Sequence, residues 1–435
     1  MTVKKPALLV NPIDGYVDDE ITIRVIDCPP NEKVKIRAKV IDDEGKHFSS
    51  YAVFEVGNDG SVDLSCAKPI EGSYEEVDAS GLFWSMEKLK SKHGDFFVKT
   101  EAGPVLIDLN LEVEGSTADT VSLHRHFYKE DVRRVVIKEP ELDVTGVLYH
   151  PVDEGVYPGV LLLGGSDGGV QEHAAALLAS KSYSVMALAY FGVEGVPKDL
   201  ENIQLEYFKK ATEWLKGHTA VNGHVSVIGF SRGGELALLL ASTYDDYQAV
   251  IAGAPSAYVT AGMKNGIFAP VPSWLLHNEP LTYMPFSYRL SMVASMLKNW
   301  VLRRPISYLS IWENTLLDLH KIRESRIPVE KISVPVMTIA GNDDQIWPSA
   351  YYAEMVEKKL SETNQSDQNV YLYYKEAGHF LAFPYGLPGL PANVNMEIAG
   401  AKMTMTFGGS KVANTKAAND SWVKILDFLE KATKQ

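Results

Sequence analysis

Two rhythms of apolar and polar positions divide the chain. Up to about Ser122 the apolar residues come in short runs broken by turn-forming residues, at Ile21 to Ile26, Val34 to Ile41, Tyr51 to Val56, Phe96 to Lys99 and Val105 to Leu111. From Lys33 onward the alternation sets Val34, Ile36, Ala38 and Val40 on one face and charged residues on the other, the signature of a strand with one solvated side. These runs predict an all-β, immunoglobulin-like sandwich over residues 1–125. From about Arg133 short strands alternate with longer helical patterns, which requires parallel pairing through crossover helices. The strands expected there are Val135 to Lys138, Gly146 to Tyr149, Gly159 to Leu163, Ser184 to Leu188, Val225 to Ile228, Ala249 to Ala252, Val336 to Ile339 and Val370 to Tyr374. The runs beginning at Leu161 and Val336 are continuously apolar, as strands covered on both faces must be. Residues 126–435 are therefore expected to form a doubly wound α/β sheet.

That alternation breaks around residues 256–330, a segment rich in aromatic residues and Met, including Trp274, Tyr283, Phe286, Met292, Trp300 and Trp312. Placed after one strand and before the next, it reads as an insertion forming a lid over the carboxyl edge of the sheet. Length agrees with two domains, since 435 residues exceed the roughly 250–300 that one core supports. A hydrophobic share of 46% with 23% charged residues is that of a folded globular chain. A net charge of −14 opposes nucleic acid as a partner, because phosphate backbones attract clustered Lys and Arg. Only Cys28 and Cys66 are present, and both are expected as reduced thiols. No apolar stretch approaches the roughly 20 residues of a membrane helix. The N-terminal residues lack the form of a signal peptide, and Thr433-Lys-Gln is no peroxisomal address. The expectation is a cytoplasmic protein with neither membrane nor nucleic-acid partner.

Gly229-Phe-Ser231-Arg-Gly233 lies between an expected strand and an Ala/Leu-rich helix, the context in which Gly-x-Ser-x-Gly forms a nucleophile elbow. A hydroxyl is a poor nucleophile at neutral pH and needs a base, itself oriented by an acid. Both follow in the chain order Ser, Asp, His: Gly341-Asn-Asp-Asp344 after one strand and Gly378-His379 after the next. Asp343 competes with Asp344 for the acid; the third position after Gly341 favours Asp344 by analogy with the usual acid turn. The Gly164-Gly165-Ser166-Asp-Gly-Gly169 loop and the helix start at Arg232 supply backbone N–H groups, and those of Ser166 and Arg232 are assigned to an oxyanion hole. No Cys/His cluster suggests a metal, and no cofactor is expected. These features predict an α/β-hydrolase.

Further stretches are similar to the acyl-CoA thioesterase and bile acid-CoA:amino acid N-acyltransferase family. In the first part they are Asp43-Glu-Gly-Lys-His-Phe, Gly60-Ser-Val-Asp-Leu, Pro69-Ile-Glu-Gly-Ser-Tyr and Gly81-Leu-Phe-Trp-Ser-Met86; later ones are Val185-Met-Ala-Leu-Ala-Tyr190, Ser231-Arg-Gly-Gly-Glu-Leu and Ile327-Pro-Val-Glu-Lys-Ile. The resemblance implies a triad of Ser231, Asp344 and His379 and a coenzyme A thioester as substrate. Its amino acid N-acyltransferase members carry Cys as nucleophile, so Ser231 favours hydrolysis. The other readings are a carboxylesterase or amidase acting on small esters or amides, transfer of the acyl group to an amine, and a non-enzymatic binding protein. Between Tyr288 and Lys331 eight cations stand against four acids, which nominates Arg303 and Arg304, with Gly165, for substrate binding. The sequence leaves oligomeric state and acyl specificity open.

Overall fold

The computed structural model of the chain describes residues 5–89, 94–139, 143–363, 366–381, 387–398 and 400–434. Two compact units emerge. The first runs to Tyr128 and takes in a later stretch ending at Pro391; the second begins at Lys129 and holds the rest.

The first unit is all-β. One sheet places Thr22–Ile26 between Ala7–Asn11 and Val62–Asp63. The larger sheet runs in the order Asp14–Tyr16, Ser116–His126, Val105–Val113, Lys33–Ile41, His47–Glu55 and Glu71–Gly72. Along Lys33–Ile41 every second side chain is buried, from Val34 to Val40, and Ile107, Leu109 and Leu111 are buried on the neighbouring strand. Phe96 to Lys99 differs from the expectation and forms no strand. Its backbone groups are met by a loop instead, Asp43 N–H donating to the Val98 carbonyl at 2.9 Å and Val98 N–H donating to the Asp42 carboxylate at 3.3 Å. Ser116–His126 lies outside the apolar pattern because Val121 and Leu123 are its only large apolar residues. The late stretch is tied in where Gly389 N–H donates to the Trp84 carbonyl at 3.1 Å.

One eight-stranded sheet organises the second unit. Its strands are β1 Val132–Glu139, β2 Val144–Pro151, β3 Tyr157–Leu163, β4 Ser184–Ala189, β5 Val221–Phe230, β6 Val250–Gly253, β7 Val336–Gly341 and β8 Val370–Tyr374. They stand in the order β1-β2-β4-β3-β5-β6-β7-β8. Each contains or overlaps one of the strands expected from the apolar runs. The β4-β3-β5-β6-β7-β8 part is parallel, whereas β1 and β2 join it antiparallel. The connection from Glu139 to Val144 is too short for a crossover, so β1 and β2 can only form a hairpin. All residues of β4 and β7 are buried, which follows from helical cover on both faces.

The principal helices are α1 Glu172–Ala179, α2 Leu205–Gly217, α3 Arg232–Thr243, α4 Leu290–Val301, α5 Leu309–Leu316, α6 Ser349–Leu360 and α7 Lys411–Thr433. The inserted segment carries α4 and α5 together with two short antiparallel pairings, Met263–Lys264 with Ile267–Phe268 and Trp274–Leu276 with Glu279–Pro280. A further hairpin, Asn393–Ile398 with Ala401–Thr406, precedes α7. No described helix is long and apolar enough to cross a membrane.

Candidate active site

Open parallel sheets bind ligands beyond the carboxyl ends of their strands, and three residues singled out from the sequence sit there. Ser231 follows β5 directly, Asp344 follows β7 by three residues, and His379 follows β8 by five. His379 Nε2 lies 2.9 Å from Ser231 Oγ, and His379 Nδ1 lies 2.8 Å from Asp344 Oδ2. A carboxylate only accepts, so Nδ1 carries the proton and Nε2 is left to accept from the serine hydroxyl. Asp344 and His379 are buried, and Ser231 is partly open.

The local chain explains this placement. Ser231 has φ 55° and ψ −120°, a conformation L-residues rarely hold unless their surroundings force it. Its N–H donates to the Gly253 carbonyl at 2.8 Å, and its carbonyl accepts from Gly234 and Glu235 N–H at 2.9 and 3.1 Å. The turn closes because its flanks have no side chains. A Cβ on Gly229 would stand 1.9 Å from the Gly233 carbonyl oxygen, and one on Gly233 would stand 2.4 Å from that of Gly164.

Asp344 is the acid that reaches the imidazole, and Asp343 does not. Asp344 Oδ1 accepts from Ile346 and Trp347 N–H at 2.9 and 3.2 Å, which aims Oδ2 at His379. Exposed Asp343 instead accepts from Gly409 N–H at 2.8 Å and from the Gln345 side chain at 2.9 Å. The His379 N–H donates to the Phe407 carbonyl at 2.8 Å, and the Trp347 ring meets the imidazole edge-on at 5.9 Å between centroids. From Trp347 an aromatic cluster of Trp312, Phe286 and Phe268 runs into the inserted segment.

Of the assigned oxyanion donors, Arg232 opens α3, whose first N–H groups have no partner within the helix. Gly165 lies against the elbow, where an added Cβ would stand 3.5 Å from the Ser231 Cβ, and Ser166 follows it, exposed. Tyr190 fixes this loop by donating to the Gly164 carbonyl at 2.6 Å, and burial holds its own phenol above the usual range. Arg303 and Arg304 are exposed on the turn after α4, and no hydrogen bond joins them to Ser231, His379 or Asp344.

One arrangement was not read from the sequence. The Arg232 side chain turns inward, 1% exposed, and pairs with Glu235, 0% exposed, at 2.6 Å. Glu235 also accepts from Thr260 N–H and Oγ1 at 3.2 and 2.6 Å and from the Trp274 indole at 2.9 Å, while Arg232 donates to Ser273. The i, i+3 spacing of Arg232 and Glu235 is visible in the sequence, but their polar partners come from the distant insertion. Among the described residues, the grouping able to hold a metal is Asp14, His124 and His126 in the first unit; there His126 Nε2 lies in hydrogen-bond reach of Asp14 Oδ2, at 3.1 Å.

The strand order and the strained serine between β5 and α3 define the second unit as an α/β-hydrolase. The chain is similar to an esterase from Pyrococcus furiosus with a TM-score of 0.36 at 15% sequence identity, covering 56% of this chain and 82% of that one. Residues 203–435 match the BAAT/acyl-CoA thioester hydrolase C-terminal family model, and residues 18–139 match the acyl-CoA thioester hydrolase/BAAT N-terminal region. The chain belongs to this family. It is 30% identical to acyl-coenzyme A thioesterase 1 of Rattus norvegicus over 95% of this chain and 93% of the relative. Acyl-coenzyme A thioesterase 6 of Homo sapiens is 29% identical over the same shares, and a peroxisomal succinyl-coenzyme A thioesterase of Mus musculus is 27% identical over 95% and 93%.

Proposed function

We propose that the chain hydrolyses acyl-CoA thioesters through an acyl-enzyme on Ser231, with His379 as general base and acid and Asp344 as the residue that orients it. The hydrogen-bonded chain from Asp344 through His379 to Ser231, with 2.8 and 2.9 Å steps, carries the reading. The imidazole takes the serine proton as Oγ attacks the thioester carbonyl, and the charge that forms on Nε2–H is balanced by the buried carboxylate. The negative oxygen is met by the Arg232 and Ser166 N–H groups, where loss of one donor costs roughly 3 kcal/mol. Collapse breaks the C–S bond, and the CoA thiolate takes the proton held on Nε2 and leaves as the thiol, which returns the imidazole to its neutral form. Water then gives its proton to Nε2 and attacks the acyl carbonyl, releasing the carboxylic acid and returning Ser231 to its hydroxyl form.

Rapid mixing with acyl-CoA tests this. A burst of thiol stoichiometric with enzyme, an acyl adduct on Ser231 by mass spectrometry and loss of both in Ser231→Ala are expected. Full turnover by Ser231→Ala refutes the reading. Amide formation in the presence of glycine or taurine, in place of acid release, refutes hydrolysis while keeping the acyl-enzyme.

A further inference from the structure

Helix α4 is turned inside out for a surface helix. Leu290, Ala294, Leu297 and Val301 recur at i, i+4, i+7 and i+11, which puts them on one face. That face points outward: Leu290 is 89% exposed, Leu297 54% and Val301 72%, and Ala294 is exposed as well. The half-buried face holds Met292, Met296 and Asn299, and no residue of the helix is buried. Tyr288 and Leu302 extend the apolar patch at either end.

This face is held in place. The Trp300 indole donates to the Lys402 carbonyl at 3.0 Å, and Ile306 exchanges backbone hydrogen bonds of 2.9 Å with Thr404 and Thr406 of the hairpin. Its charge is also distinctive. From Pro280 to Trp312 there is no Asp or Glu, although the whole chain carries −14, and Arg289, Lys298, Arg303 and Arg304 around the stripe are all exposed. An apolar stripe rimmed by cations suits the boundary between lipid headgroups and acyl chains. A second copy of the same face would set these cations against their equivalents, whereas anionic headgroups neutralise them.

We propose that α4 and the turn through Arg304 dock on anionic lipid bilayers, the apolar stripe entering the acyl boundary and the four cations meeting headgroup phosphates. The helix lies in the surface and does not span. The assignment is independent of the acyl-enzyme chemistry, and it gives Arg303 and Arg304 to lipid phosphate in place of substrate.

Sedimentation of the full chain with phosphatidylcholine vesicles, with and without about 30% phosphatidylserine, tests it. Binding is expected to the anionic vesicles and to weaken steeply at high salt. Leu297→Glu/Val301→Glu, at exposed positions, is expected to weaken binding about 100-fold while hydrolysis of a soluble short-chain acyl-CoA stays at the wild-type level. Arg303→Gln/Arg304→Gln is expected to lower affinity about 30-fold. Three results overturn the proposal: wild-type protein that sediments equally with neutral vesicles or with none; a dimer in ultracentrifugation that Leu297→Glu/Val301→Glu abolishes, which assigns the face to a second copy; and Arg303→Gln/Arg304→Gln protein with vesicle binding intact but a raised KM for acyl-CoA, which assigns the cations to free substrate phosphate.

Discussion

Replacing Glu235 by Gln changes one oxygen to an NH2 and leaves the volume nearly untouched, so the outcome reports charge and hydrogen bonding without a change in packing. Glu235 accepts hydrogen bonds from Arg232, from Thr260 N–H and Oγ1 and from the Trp274 indole. An amide placed at the Oε1 position would face two N–H donors, from Thr260 and Trp274. At the Oε2 position it faces the Arg232 guanidinium and the Thr260 hydroxyl, which can turn to accept. The second orientation is the better one, and it leaves a guanidinium with 1% exposure beside a neutral group. Breaking a buried pair in this way costs roughly 3–5 kcal/mol. At about 2–4 °C per kcal/mol for a large domain, the melting temperature of the second unit is expected to fall by roughly 10 °C. Scanning calorimetry reads this directly. Arg232→Met added to Glu235→Gln removes the stranded charge and keeps the backbone N–H assigned to the oxyanion, so stability is expected to recover at least in part. A Glu235→Gln protein that melts with the wild type, or a double variant no more stable than the single one, would refute the account of the pair.

Two further outcomes follow from the site and the elbow. Asp344→Asn is expected to lower kcat about 10,000-fold, because an amide favours the wrong imidazole tautomer, whereas Asp343→Asn, at an exposed loop, is expected to change stability by no more than about 0.5 kcal/mol and to leave the Asp344–His379 pair intact; steady-state kinetics separate the two acids. Gly229→Ala is expected to give little soluble protein, since its Cβ would lie 1.9 Å from a backbone oxygen, while Gly217→Ala, with nothing within 4 Å, is expected to gain roughly 0.5–1 kcal/mol in urea titrations.

What the sequence could disclose depended on how local the physics is. The β strands of the second unit were legible because two-sided burial demands unbroken apolar runs, as in Val336–Gly341. Ser231 was legible because only small neighbours permit its turn, and the Ser, Asp, His order restricted its partners. Choosing Asp344 over Asp343 rested on analogy alone; the reason lies in the Ile346 and Trp347 N–H groups, which fix one carboxylate toward the imidazole. Ser116–His126 was hidden because its outward positions carry Ser, Thr and His, and its pairing comes from a neighbour with a clear apolar alternation. Phe96 to Lys99 carries three β-favouring residues in a row, Phe-Phe-Val, but meets loop partners, a tertiary circumstance that a local pattern does not encode. The Arg232–Glu235 cluster was hidden for the same reason, since Thr260, Ser273 and Trp274 approach it only once the insertion has folded.

The late stretch of the first unit bears on how the protein matures during synthesis. Trp84 and its strands leave the ribosome early, yet the Gly389 N–H that meets the Trp84 carbonyl arrives only after the second sheet has been translated. At about 5–20 residues per second the gap between Tyr128 and Gly389 amounts to roughly 13–50 s. For that interval the nascent sandwich lacks a contributing piece, so chaperone engagement and protease sensitivity should concentrate around Trp84 and subside once the chain has grown past Pro391.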